Sequence, residues 1–185
     1  MSNTKDHAFV EIIFSNKDNQ YFKNLVNTIV DKDIFYDSPV AEHIRGDMTD
    51  TLHCTLFFGL QPSSVNDPEL LSLISNSEFN TLDLGDFFFF EGYENLYRVL
   101  CLEVKDTDNK LFELSKKIES CVKGGEVKVK EFRPHITLTY VNKDFKLPDN
   151  TENTKKQIDI EKIRVSLLSE FMESLKEDSM LDLAA

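Results

Sequence analysis

Two stretches decide the fold: Leu52-His53-Cys54-Thr55-Leu56-Phe57-Phe58-Gly59-Leu60 and Glu131-Phe132-Arg133-Pro134-His135-Ile136-Thr137-Leu138-Thr139-Tyr140-Val141. Both contain the pattern His-x-Thr-apolar, and two of the chain's four histidines open it. Both are rich in aromatic and β-branched residues and read as strands. Side chains on a strand alternate between faces. His53 and Thr55 are thus expected on one face, with Cys54 and Leu56 on the other. His135, Thr137 and Thr139 are likewise expected on one face, opposite Ile136, Leu138 and Tyr140.

Working outward, the surroundings of the two strands also repeat. Ala8–Phe14 (AFVEIIF) reads as a buried strand. Tyr21, Phe22, Leu25, Val26 and Ile29 then recur at helical spacing, with Asp18 or Asn19 as the expected cap. Asp67-Pro68 opens a short helix to about Asn76, and Thr81–Phe90 reads as one or two strands. The second half replays this order. Tyr97–Val104 is a strand, and Leu111 to Ile118 lie on a helix expected to end near Gly124-Gly125. After the second motif strand, Gln157–Leu168 reads as strand, and an acidic helix or tail spans 170–185.

The repeat can be followed residue by residue. Asp18-Asn19 corresponds to Asp108-Asn109 at an offset of 90, His53-Cys54-Thr55 to His135-Ile136-Thr137 at 82, and Leu82-Asp83-Leu84 to Ile158-Asp159-Ile160 at 76. The offset shrinks as loops shorten, as expected of a duplicated β-α-β-β unit. The expected fold class is α+β, with two units related by a pseudo-twofold and antiparallel sheets lining one central cleft. The chain 1–185 reads as a single domain, with lobe one at about 8–90 and lobe two at about 97–168. The stretch 31–50 has no counterpart in the second half and is expected to cover the pocket.

A pseudo-twofold would bring two imidazoles and two hydroxyls to one point. One neutral imidazole can take a proton from an attacking oxygen while the other, protonated, donates to the leaving oxygen. Threonine hydroxyls can bind the non-bridging oxygens of a phosphate and hold it in line. The pattern therefore suits phosphodiester transfer without a metal or other cofactor. Zinc ligation is disfavoured, because the sequence has neither HxxxH nor CxxC. His7 and His43 read as surface or loop residues, Cys54 and Cys101 as small core residues, and Phe87–Phe90 as strand core.

Composition narrows the partners. The 185 residues carry 21 basic and 33 acidic side chains, a net charge of −12. So acidic a chain is repelled by long phosphate backbones and anionic membranes, so its nucleotide ligand should be short or cyclic. With 6 Gly and 5 Pro, fibrous and low-complexity classes are excluded. Three cysteines without CxxC spacing point to a reducing compartment, and no basic-then-apolar leader suggests secretion, so a cytoplasmic location is expected. No apolar run reaches the 18 or more residues of a membrane helix. Arg133, with Lys128 and Lys130 nearby, supplies candidate positive charge for a phosphate.

At these residues the chain resembles the two-histidine (2H) phosphoesterase superfamily. The resemblance rests on the two His-x-Thr strands, the Phe132-Arg133-Pro134 lead-in and the β-α-β-β order, and it covers about residues 8–168. It implies a bilobal, metal-independent phosphodiesterase with His53, Thr55, His135 and Thr137 as catalytic residues. Arg133, Thr139, Phe57 and Tyr140, on the same two segments, are the candidate substrate-binding residues. Small phage-encoded members that degrade cyclic-nucleotide immune signals (anti-CBASS type) are the most similar in pattern, which would place the protein in a host cytoplasm. The implied activity is cleavage of a 2′,5′ or 3′,5′ linkage in a short or cyclic oligonucleotide. Three other readings stand beside it: a nucleotide-sequestering protein using the same pocket, a 2′,3′-cyclic phosphodiesterase in RNA end processing, and an adaptor using its acidic tail.

Overall fold

The structure is a computed structural model that describes residues 7–39, 52–122 and 132–168. His43, Lys128, Lys130, the Gly124-Gly125 helix stop, most of the 31–50 stretch and the 170–185 tail lie outside the described residues.

Among the described residues, six strands and three α-helices follow one another as β1 (Ala8–Phe14), α1 (Asn16–Ile29), β2 (His53–Leu60), α2 (Pro68–Ser75), β3 (Thr81–Glu91), β4 (Tyr97–Lys105), α3 (Lys110–Cys121), β5 (His135–Asn142) and β6 (Gln157–Leu167). The fold is α+β, as expected. All neighbouring strands are antiparallel and close into the ring β1-β2-β5-β4-β3-β6. Exchanging β1 with β4, β2 with β5 and β3 with β6 maps this ring onto itself. That is the pseudo-twofold in its topological form.

Spatial grouping differs from chain order. β1 is flanked by β2 and β6, and β4 by β5 and β3. Each three-stranded sheet thus takes its third strand from the other half of the chain. The two seams between the sheets are short: Cys54 with Ile136, and Thr81–Asp83 with Gln157–Asp159.

The core lies on one face of these strands, under the helices. Val10, Ile12, Leu56, Leu100, Leu102, Ile136 and Val141 form it together with Phe22 and Val26 of α1 and Leu111 and Ile118 of α3. The helices start where local chemistry satisfies their free N–H groups. Asp67 caps α2, accepting from Glu69 N and Leu70 N. Ser15 caps α1, accepting from Asp18 N. The expected caps Asp18 and Asn19 instead lie inside the helix and are buried. Asn19 is diverted to tertiary work: its Nδ2 donates to the Phe14 carbonyl, and its Oδ1 accepts from Leu52 N. It thereby ties the end of β1 to the start of the first motif strand.

Candidate active site

The duplication found in the sequence recurs in strand register. Glu11 of β1 stands opposite Thr55, and Cys101 of β4 opposite Thr137. On the far side, Glu11 stands opposite Arg164 of β6, and Cys101 opposite Phe88 of β3. These pairs reproduce the offsets of 90, 82 and 76 read along the chain. His53 and His135 each begin their strand, and both are partly exposed.

Both motif strands carry the same irregularity. The β1–β2 register slips between Val10 and Glu11, leaving Leu56 unpaired. The β4–β5 register slips between Leu100 and Cys101, leaving Leu138 unpaired. An extra residue in a strand shifts all later side chains to the other face. In the first half, the Ser115 hydroxyl of α3 donates to the Leu56 carbonyl at 2.9 Å.

The slip revises the expected faces beyond each threonine. Thr139 stands opposite Leu100, a core residue, and is only 2% exposed, so it does not continue the His135–Thr137 face. Tyr140, opposite Val99, takes that position instead. Phe57, opposite Val10, is likewise in the core at 3% exposure, and Phe58 is the exposed ring of the pair. Phe58 was missed by simple alternation. Tyr140 is brought to the site face, and burial pushes its phenol up to about 12, so it stays protonated at neutral pH.

The two histidines meet different surroundings. The His135 Nδ1 lies 2.7 Å from the Arg133 carbonyl oxygen. A carbonyl can only accept, so Nδ1 carries the hydrogen and the Nε2 lone pair remains on the neutral ring. Burial holds His135 below the ordinary imidazole value, and the charges of His53 and Arg133 push the same way against the Arg133 hydrogen bond. The two motif strands meet at Cys54 and Ile136, the residues that follow His53 and His135. Phe90 and Phe88 meet the His135 ring edge-on at 4.9 and 6.2 Å. The Arg133 guanidinium lies 3.6 Å from the Phe88 ring centre and 5.5 Å from that of Phe90. Arg133 is therefore held beside the second motif by cation–π contact. Two members of the Phe87–Phe90 run thus belong to the site face, while Phe87 and Phe89 pack against the core.

On the other side, the His53 Nδ1 lies 3.7 Å from Glu11 Oε2. Glu11 is wholly buried, and its Oε1 accepts from Arg164 Nε at 2.8 Å and Ser166 Oγ at 2.6 Å. Its one sequence signal is a charge inside the apolar run AFVEIIF, which demands a buried partner.

The remaining candidates divide cleanly. Cys54 and Cys101 are buried, and burial pushes both thiols up to about 12, so neither supplies a thiolate nucleophile. His7 lies against Phe58, with ring centres 6.0 Å apart. Among the described residues no three His, Cys, Asp or Glu side chains gather as a metal site, and no helix is long and apolar enough to cross a membrane.

No protein-family model matches the chain. No curated protein matches it either. Solved structures do. One is described as a phosphoesterase, with 15% identity, 88% of each chain covered and a TM-score of 0.58. LigT of E. coli in complex with NADP+ matches at 17% identity over 88% of this chain and 87% of that one, with a TM-score of 0.60. Usb1 of Kluyveromyces marxianus matches at 12% identity over 90% and 98%, with a TM-score of 0.53. LigT has also been crystallised with phosphate, 3′-AMP and ATP. At these identities the likeness is one of fold: the chain has a LigT-like fold.

Proposed function

We propose that the protein is a metal-independent phosphodiesterase that cleaves a short or cyclic oligonucleotide in the cytoplasm. The observation that carries this reading is that the two His-x-Thr strands run side by side, meeting at Cys54 and Ile136, and sit in equivalent registers against β1 and β4. The nucleotides in the LigT crystals support a small nucleotide as ligand.

The surroundings of the rings support different roles for the two. His135 is the base, because its Nδ1–H is committed to the Arg133 carbonyl and burial favours the neutral ring. On a 3′,5′ linkage its Nε2 takes the proton of the ribose 2′-OH, and the resulting oxyanion attacks phosphorus. His53 donates its proton to the departing 5′ oxygen. The P–O5′ bond breaks, and a 2′,3′-cyclic phosphate and a free 5′-hydroxyl form. On a 2′,5′ linkage the 3′-OH attacks in the same way. His135 then holds the extra proton and His53 lacks one, so exchange with water resets the pair. The Thr55 and Thr137 hydroxyls donate to the non-bridging oxygens as charge builds there.

The chain's charge of −12 favours a compact ligand over long RNA. Degradation of a cyclic-nucleotide immune signal by a phage-encoded enzyme is the biological setting that fits best. The test is incubation with cyclic dinucleotides, cyclic trinucleotides, 2′,5′-oligoadenylate and 2′,3′-cyclic nucleotides in EDTA. Turnover of at least one is expected. Failure on all of them, or activity abolished by EDTA, overturns the reading. Tight binding with intact ligand recovered after denaturation would identify a sequestering protein instead.

A further inference from the structure

Glu11 has no acidic counterpart at the equivalent register of the second half. At the equivalent register stands Cys101, a neutral side chain. The carboxylate is therefore not something the duplicated fold requires. A buried charge is costly unless paired. Here one oxygen is fully engaged, with Arg164 Nε and Ser166 Oγ both donating to Oε1. The other, Oε2, is buried without a hydrogen-bond partner and lies 3.7 Å from the His53 Nδ1. Two donors thus clamp the carboxylate so that its remaining oxygen is left toward the first motif histidine.

We propose that Glu11 is a positioning residue that holds the His53 ring through Nδ1 and stabilises its protonated form, making the two histidines chemically unequal. The Nε2–H is then the proton offered to the cleft. The charges facing His53 come from three strands. Glu11 lies on β1, Arg164 and Lys162 lie in register on β6, and His135 lies on β5. Arg164 is paired with the same carboxylate, whereas Lys162 and a protonated His135 oppose a charged His53 ring. Among these described groups Glu11 is the anion, so its removal lowers the proton affinity of His53. The catalytic consequence rests on the proposed reading of His53 as acid; the protonation equilibrium itself does not.

The experiment is an NMR pH titration of the histidine rings in the full chain. In the wild-type protein His53 should titrate at higher pH than His135. In Glu11→Gln the His53 midpoint should fall by about one pH unit, the lower end of the effect of a carboxylate at this distance. Cys101→Ala, at the matching register, should leave it in place. Coincident or reversed midpoints in the wild type overturn the proposal, and this comparison needs no variant to fold. A folded Glu11→Gln protein with an unmoved midpoint overturns it equally. If no substrate is ever turned over, the phosphodiesterase reading falls while the titration still decides the role of Glu11.

Discussion

The two halves of the strand ring share strand order, register and even the slip after each threonine, yet they hold their histidines by different means. Behind His53 stands a buried carboxylate fixed by an arginine and a serine. Around His135 stand two phenylalanines and a stacked arginine, with a backbone carbonyl as hydrogen-bond acceptor. An anion favours a charged ring, and burial among apolar rings favours a neutral one. Duplication therefore supplies two copies of the same imidazole, and under the proposed mechanism the strands behind them make one copy the acid and the other the base.

The strongest way to break this comparison is to remove each histidine in turn. His53→Ala and His135→Ala should each lower turnover by about 10²–10⁴-fold. The wild-type pH–rate profile should be bell-shaped. Its acid limb should reflect protonation of His135 and lie below the ordinary imidazole value of 6.5, the direction in which burial moves this ring. His135→Ala should erase the acid limb and His53→Ala the alkaline one. Loss of the same limb in both variants would show that the halves are not differentiated.

The threonines test what the halves share. Thr55→Val and Thr137→Val should each lower kcat by about 10²-fold with little change in KM, as removal of a donor to developing charge does. A large loss for one alone would place the phosphate nearer that half.

The register slip predicts a smaller and opposite pairing of effects. Phe58→Ala and Tyr140→Ala, on the site face, should raise KM by about tenfold, worth about 1.4 kcal/mol of binding. Phe57→Ala should instead cost about 3 kcal/mol of stability, read by urea denaturation, with kcat of the folded fraction retained. Reversal of the two phenotypes would mean that side chains alternate without interruption.

The smallest effect is on stability. His135 has a lowered proton affinity in the fold, so the unfolded chain binds the proton first as pH falls. The contribution is present above pH 6.5 and is lost as pH drops from there toward the folded value. Urea midpoints at pH 7.5 and 5.5 should differ less in His135→Gln than in the wild type.

Much of this architecture is legible in the residues themselves. β1 at Ala8–Phe14 and α2 with its Asp67 cap follow from local pattern, because apolar runs and caps act over a few residues. The repeat offsets identified the strands that would become equivalent. The cap of α1 was misread because Ser15, Asp18 and Asn19 are all good capping types, and only packing against Leu52 assigned Asn19 elsewhere. Phe57 and Thr139 are misplaced by simple alternation because a bulge leaves no mark in composition, yet it inverts the faces that follow it.

Two imidazoles and two hydroxyls, the strands that carry them and the symmetry that gathers them were written in local spacing. The inequality of the two histidines was not. It arises from Glu11, Arg164 and Ser166 on one side and Phe88, Phe90 and Arg133 on the other, which come from strands far apart along the chain. Spacing along one strand fixes which side chains share a face, but electrostatic environment depends on distance in space and on burial, and both exist only once the ring of six strands has closed.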